Sequence, residues 1–102
     1  YHGSLSVFPD LVFLKDKRKL AVEYERNVKA KGRYFEKWSK YQNQALYDHV
    51  LYVCETPKIF DALTRMSIGY ENIYFTQVSN LSKVFNGFGW KPLEEICGGK
   101  AT

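Results

Sequence analysis

The sequence predicts an α/β domain: a mixed sheet opened by a β-hairpin, continued as helix–strand–helix–strand, with helices flanking it. Three observations predict this. Residues 11–15 and 20–25 are β-prone runs on either side of a polar Asp16-Lys17-Arg18-Lys19 turn. Apolar positions after residue 32 then recur at helical spacing, and they alternate with short continuous apolar runs. Finally, strand–helix–strand units favour parallel pairing through a crossover, whereas the opening hairpin is antiparallel.

In chain order, Tyr1–Phe8 alternates weakly, with Leu5 and Val7 on one side, and reads as a short edge strand or the tail of another element. Pro9 suits a strand start because it has no N–H for a ladder. Leu11–Lys15 is the first strand of the hairpin. Leu20–Glu25 is the second, with Leu20, Val22 and Tyr24 on one face and Ala21, Glu23 and Glu25 on the other. Arg26–Lys31 connects to a helix from Gly32 to about Tyr47, whose stripe is Tyr34, Trp38, Tyr41 and Ala45, widened by Phe35 and Leu46. The stripe reads as core, with the Tyr34 and Tyr41 hydroxyls available at a site edge. His49–Cys54 has the length and apolarity of a central strand. Thr56 and Pro57 supply an N-cap and a first helical residue, Ile59, Phe60, Leu63 and Met66 supply the stripe, and Gly69 the stop. Asn72–Thr76 is a further strand. Ser79 or Asn80 caps a short helix through Phe85. Gly87, Gly89 and Pro92 break the next stretch, Leu93–Cys97 forms one last turn, and Gly98–Thr102 is a tail.

The chain of 102 residues is sized for one domain, and a start at Tyr1 without Met is read as a piece of a longer protein. A hydrophobic fraction of 45% and an aromatic fraction of 17% predict a packed core and exclude intrinsic disorder. No apolar run approaches the roughly 20 residues that span a bilayer, and no signal peptide is seen. Cys54 and Cys97 show no metal-ligand spacing, and Cys54 reads as a buried thiol. A reduced, cytoplasmic setting is expected. His49 reads as structural, and His2 stays without a role.

The net charge of +4 is unevenly placed: ten of the fifteen Lys and Arg fall between Lys15 and Lys40, together with four acids. Such a stretch is either a solvated charged face or a phosphate footprint. The acids sharpen the choice. A hairpin brings Asp10, at its open end, near Glu23 and Glu25, and converging carboxylates repel unless a hard cation joins them. Mg2+ or Mn2+ on Asp10, Glu23 and Glu25 would polarise a phosphoryl oxygen and activate water. Arg26, Lys29, Lys31, Arg33, Lys37, Lys40 and Tyr41 would hold a phosphodiester strand. Taken singly, the same acids read as a turn residue and surface ion pairs.

Pro9-Asp10, followed thirteen positions on by Glu23-Tyr24-Glu25, then a helix and a central strand, resembles the PD-(D/E)xK nuclease superfamily over about Leu5–Thr76. The resemblance implies a restriction-endonuclease-like fold, with Asp10 and Glu23 as metal ligands and Glu25 as a ligand or a base for water. The pattern wants Lys where Glu25 stands, and Lys29, Lys31 and Lys37 are the candidate replacements. The string LAVEYERNVKAKGRYFEKWSKYQ also looks like the replication-relaxation and MobC-type mobilization proteins of plasmids, on its acid pair, Arg33-Tyr34, Lys37 and Tyr41. That likeness implies nicking or relaxation of plasmid DNA alongside other mobilization proteins. The leading expectation is therefore a Mg2+-dependent DNA endonuclease or nickase (a hydrolase) with Asp10, Glu23, Glu25, Lys29 and Lys31 as its catalytic set. The rivals are an inactive DNA-binding accessory module on the same fold and a protein–protein interaction domain.

Overall fold

A two-strand hairpin starts the described chain. The computed structural model describes residues 9–15, 17–44, 46–86 and 89–96. The expected strand over residues 1–8, His2, Asp16, Ala45, Gly87, Cys97 and the tail 98–102 lie outside them. β1 (Leu11–Lys15) pairs antiparallel with β2 (Arg18–Glu25), Leu11 opposite Val22 and Lys15 opposite Arg18. Lys17 takes φ 70 at the turn, a left-handed conformation uncommon for a residue with a Cβ. Return pairing thus begins at Arg18, two residues before the expected Leu20.

From β2 the chain crosses through α1 (Lys31–Gln44) to β3 (His49–Cys54), which lies parallel to β2 with Glu23 opposite Tyr52 and Glu25 opposite Cys54. The helix stops before the expected Tyr47 because the chain has already joined the next strand. The Asp48 N–H donates to the Lys19 carbonyl at 2.9 Å, and its carboxylate accepts the Lys19 N–H at 2.8 Å. Leu46 is exposed as a result. A second crossover, α2 (Pro57–Met66), leads to β4 (Ile73–Gln77), parallel to β3. Thr56 caps α2 by accepting the Ile59 N–H at 3.3 Å, and Gly69 (φ +99) turns the chain away from it.

Beyond β4 the expected short helix is replaced by strand. Residues Asn80–Asn86 form β5, and Gly89–Pro92 form β6, both antiparallel to their predecessors. A four-residue helix, α3 (Leu93–Ile96), comes after them. Sheet order is β1-β2-β3-β4-β5-β6. The fold is therefore a mixed six-stranded α/β sheet with flanking helices.

Strand parity divides the core in two. On one face α1 and α2 cover Ala21, Val50, Tyr52, Cys54, Ile73 and Phe75 with Tyr34, Trp38, Tyr41, Ile59, Phe60 and Leu63. On the other, Ile96 and Leu93 of α3 pack with Leu20, Leu51, Tyr74 and Val84. Tyr34, Trp38 and Tyr41 are core, as their spacing predicts, while Phe35 is more than a third exposed and stacks on Tyr70. Cys54 is a free, buried thiol pushed up to about 12 by burial and by nearby Glu25. No described helix is long and apolar enough to cross a membrane.

Candidate functional site

Glu23 and Glu25 are two apart on β2, so both side chains face the helix layer beside Tyr52 and Cys54 of β3. Each is only 4% exposed. A charge so buried must be paired and hydrogen-bonded, and the helix layer supplies the partners. The Lys37 ammonium lies 2.9 Å from the Glu23 carboxylate, which also accepts the Tyr41 hydroxyl proton. Glu25 accepts from the Lys29 ammonium, brought over it by the connector. The Lys29 N–H in turn donates to the Tyr34 hydroxyl oxygen at 2.9 Å, so the connector is fastened to α1.

The electrostatics result from that burial. Tyr34 is pushed up to about 12, first by burial and then by Glu25. Tyr41 is raised further, by burial and by its bond to the Glu23 carboxylate. Both phenols stay protonated, and Tyr41 remains a donor to Glu23. Asp10 enters from the open end of the hairpin, and its Oδ2 accepts the Tyr24 N–H at 2.8 Å.

All of these groups except Tyr41 and Cys54 line one cavity of about 470 Å³. Asp10, Glu23, Glu25 and Glu36 are its acids, and Lys29, Arg33, Lys37 and Lys40 are its bases. The charges are layered. The two glutamates lie at the bottom, while Lys29 and Lys37 are 46% and 37% exposed in their side chains. Tyr52 also lines the cavity, with its hydroxyl buried. Tyr52 is a site residue that sequence reasoning missed. HVLYVC reads as plain core strand, and only the Glu23–Tyr52 register puts its hydroxyl beside the acids.

Of the other anticipated residues, Arg33 and Lys40 line this cavity, whereas Arg26 and Lys31 do not. Arg26 pairs with Glu55 at 3.5 Å. Lys31 lines a separate cavity against α2. Tyr41, expected at the DNA, is 2% exposed with its hydroxyl on Glu23. Lys40 lies 3.9 Å from Glu36, and Arg33 forms no ion pair among the described residues.

The metal centre expected on Asp10, Glu23 and Glu25 is overturned. Among the described residues no group of three or more His, Cys, Asp or Glu side chains is placed to hold a metal ion. The carboxylates that were to need a hard cation are instead served by protein donors: ammonium and phenol on Glu23, ammonium on Glu25, a backbone amide on Asp10. With Mg2+ or Mn2+ falls the expected Mg2+-dependent endonuclease, nickase or other hydrolase, since that chemistry needed the metal. No family model, curated protein or solved structure matches the chain.

Proposed function

We propose that this domain binds the DNA backbone through the cationic side of α1 without cutting it, as an accessory module of plasmid mobilization or relaxation on a restriction-endonuclease-like core. One observation carries the reading. Arg33, Lys37 and Lys40 recur at i, i+4 and i+7, so they share one side of α1, and they line the same cavity as Lys29. Glu23 and Glu25 beneath are buried and internally neutralised, and the more exposed Glu36 lies beside Lys40, so Lys29, Arg33 and Lys37 present N–H groups to an approaching phosphate. Buried carboxylates also fix Lys29 and Lys37 in place, which lowers the entropy lost when they contact a ligand. The hairpin–helix–strand order and the Pro9-Asp10 and Glu23-Tyr24-Glu25 spacing support the fold assignment, and with it DNA as the partner.

Fluorescence anisotropy with a labelled duplex tests this. Binding is expected at low salt, is expected to persist in EDTA, and should fall linearly in log affinity against log salt. Arg33→Gln should lower that slope by about 0.9, the share of one phosphate contact. Absence of binding at low salt, or its loss on chelation, defeats the proposal.

A second reading, a protein-interaction domain, is favoured by β1. Leu11, Val12, Phe13 and Leu14 are all exposed along a terminal strand of the described sheet, and such an edge can accept a partner strand. A chain that ignores DNA would leave this reading standing.

A further inference from the structure

The connector between β2 and α1 has a second concave side, turned toward α2. A cavity of about 310 Å³ opens there, lined by Val28, Lys29, Lys31, Ala62, Arg65 and Met66. Three of its six lining residues are cations and none is acidic, unlike the first cavity, where four acids offset four bases. Lys31 and Arg65 form no ion pair among the described residues. Arg65 stands in the last turn of α2 and Lys31 opens α1, whose first turn contains no acid. The other three lining residues are apolar, and an apolar wall lowers the local dielectric, strengthening attraction for an anion. Lys29 lines both cavities, so the two are neighbours along one line of cations.

We propose that this cavity is a second phosphodiester subsite, in which Lys31 and Arg65 grip a DNA phosphate beyond those met by Arg33 and Lys40. It rests on the DNA-binding reading and extends it. The backbone passes from the α1 side, over Lys29, to the gap between the connector and α2. Arg65 is the residue that carries this extension: it is absent from the basic stretch 15–40 and reaches the connector only through the second crossover. Its planar fork suits two oxygens of one phosphate, whereas Lys31 acts as a point charge.

The experiment compares salt dependence of DNA affinity for the full chain and three variants: Arg65→Gln in the subsite, Arg33→Gln in the first cavity, and Lys58→Gln. Lys58 is exposed on α2 and lines neither cavity, so it controls for net charge. Arg65 is exposed, and unchanged circular dichroism certifies the fold of each variant. Arg65→Gln is expected to lower the log–log slope by about 0.9, so that raising salt from about 50 to about 200 mM costs it roughly threefold less affinity than wild type. Lys58→Gln should leave the slope unchanged. In parallel, inorganic phosphate is titrated while the Lys31 and Gly32 amides are followed by NMR, where shifts lost in Arg65→Gln are expected. If Arg33→Gln lowers the slope and Arg65→Gln matches Lys58→Gln, the subsite is wrong while DNA binding stands. If phosphate shifts the amides but Arg65 leaves the DNA slope untouched, the cavity takes a free phosphate and the phosphodiester assignment is overturned. If the wild type shows no salt-dependent binding, both readings fall.

Discussion

Glu23 has two partners of different kinds, and they answer differently to substitution. Lys37 supplies charge from a side chain 37% exposed, and Tyr41 supplies a buried phenol proton. Lys37→Met would leave a buried carboxylate with the phenol alone. The expected cost is about 3 kcal/mol, at the low end for breaking a buried pair because water reaches Lys37. Adding Glu23→Gln should return much of that loss, since a neutral amide no longer needs the ammonium. Urea denaturation of the two single variants and the double variant checks this, and additive losses would show that the pair is not coupled. His49 gives a pH signature. It is half-buried, edge-on to Tyr74 at 5.3 Å, with Nδ1 unpartnered among the described residues. Burial, then Arg18, pushes its pKa below 6.5, against an opposing pull from Asp48, with Lys91 adding to the depression. The unfolded chain therefore takes the proton first. The His49 contribution is complete above about pH 6.5 and is lost as pH falls toward the folded value. Melting temperatures of wild type and His49→Phe between about pH 7.5 and about pH 5.5 should show the wild type losing more on acidification.

At the scale of elements, the parts that carry their own signals were legible. The polar turn between two β-prone runs announces β1 and β2, and Thr56-Pro57 announces α2. β5 was not legible. Leu81, Val84 and Phe85 fit a helical turn as well as a strand, and the choice is made by contacts far away in the fold. Val84 is buried beneath α3, while Phe85 packs toward Phe60 on the opposite face and pairs with Phe75. Thr76 secures the arrangement where the β4–β5 register shifts: its hydroxyl lies 2.7 Å from the Lys83 carbonyl and 2.9 Å from that of Asn80. Thr76 is 1% exposed, so Thr76→Val keeps the shape and leaves those carbonyls without their donor. It is expected to cost about 1–2 kcal/mol in denaturant midpoint experiments, with amide exchange rising first along β5.

At the scale of the molecule, the site was half legible for a definite reason. Strand parity alone puts Glu23 and Glu25 on one face, and the hairpin alone brings in Asp10. Whether those acids face a metal or a lysine depends on where α1 crosses the sheet, and no spacing rule for the strand contains that information. Lys37 lies fourteen positions beyond Glu23, so its arrival is a tertiary event. Arg65 was equally invisible, because its nearness to Lys31 depends on two successive crossovers.

The β2–α1–β3 crossover has a consequence for time as well as for place. Glu23 and Glu25 come from its first strand, the cations from its connector and helix, and Tyr52 from its second strand. A parallel pair cannot close until the chain between has been laid over the sheet, and such non-local closure is slow relative to a hairpin. The complete lining of the cavity therefore awaits this closure. Until β2 and β3 pair, Glu23 and Glu25 lack the strand that places Tyr52 and Cys54 beside them. The full lining becomes available in that closure, with the rate of the zipping as its clock.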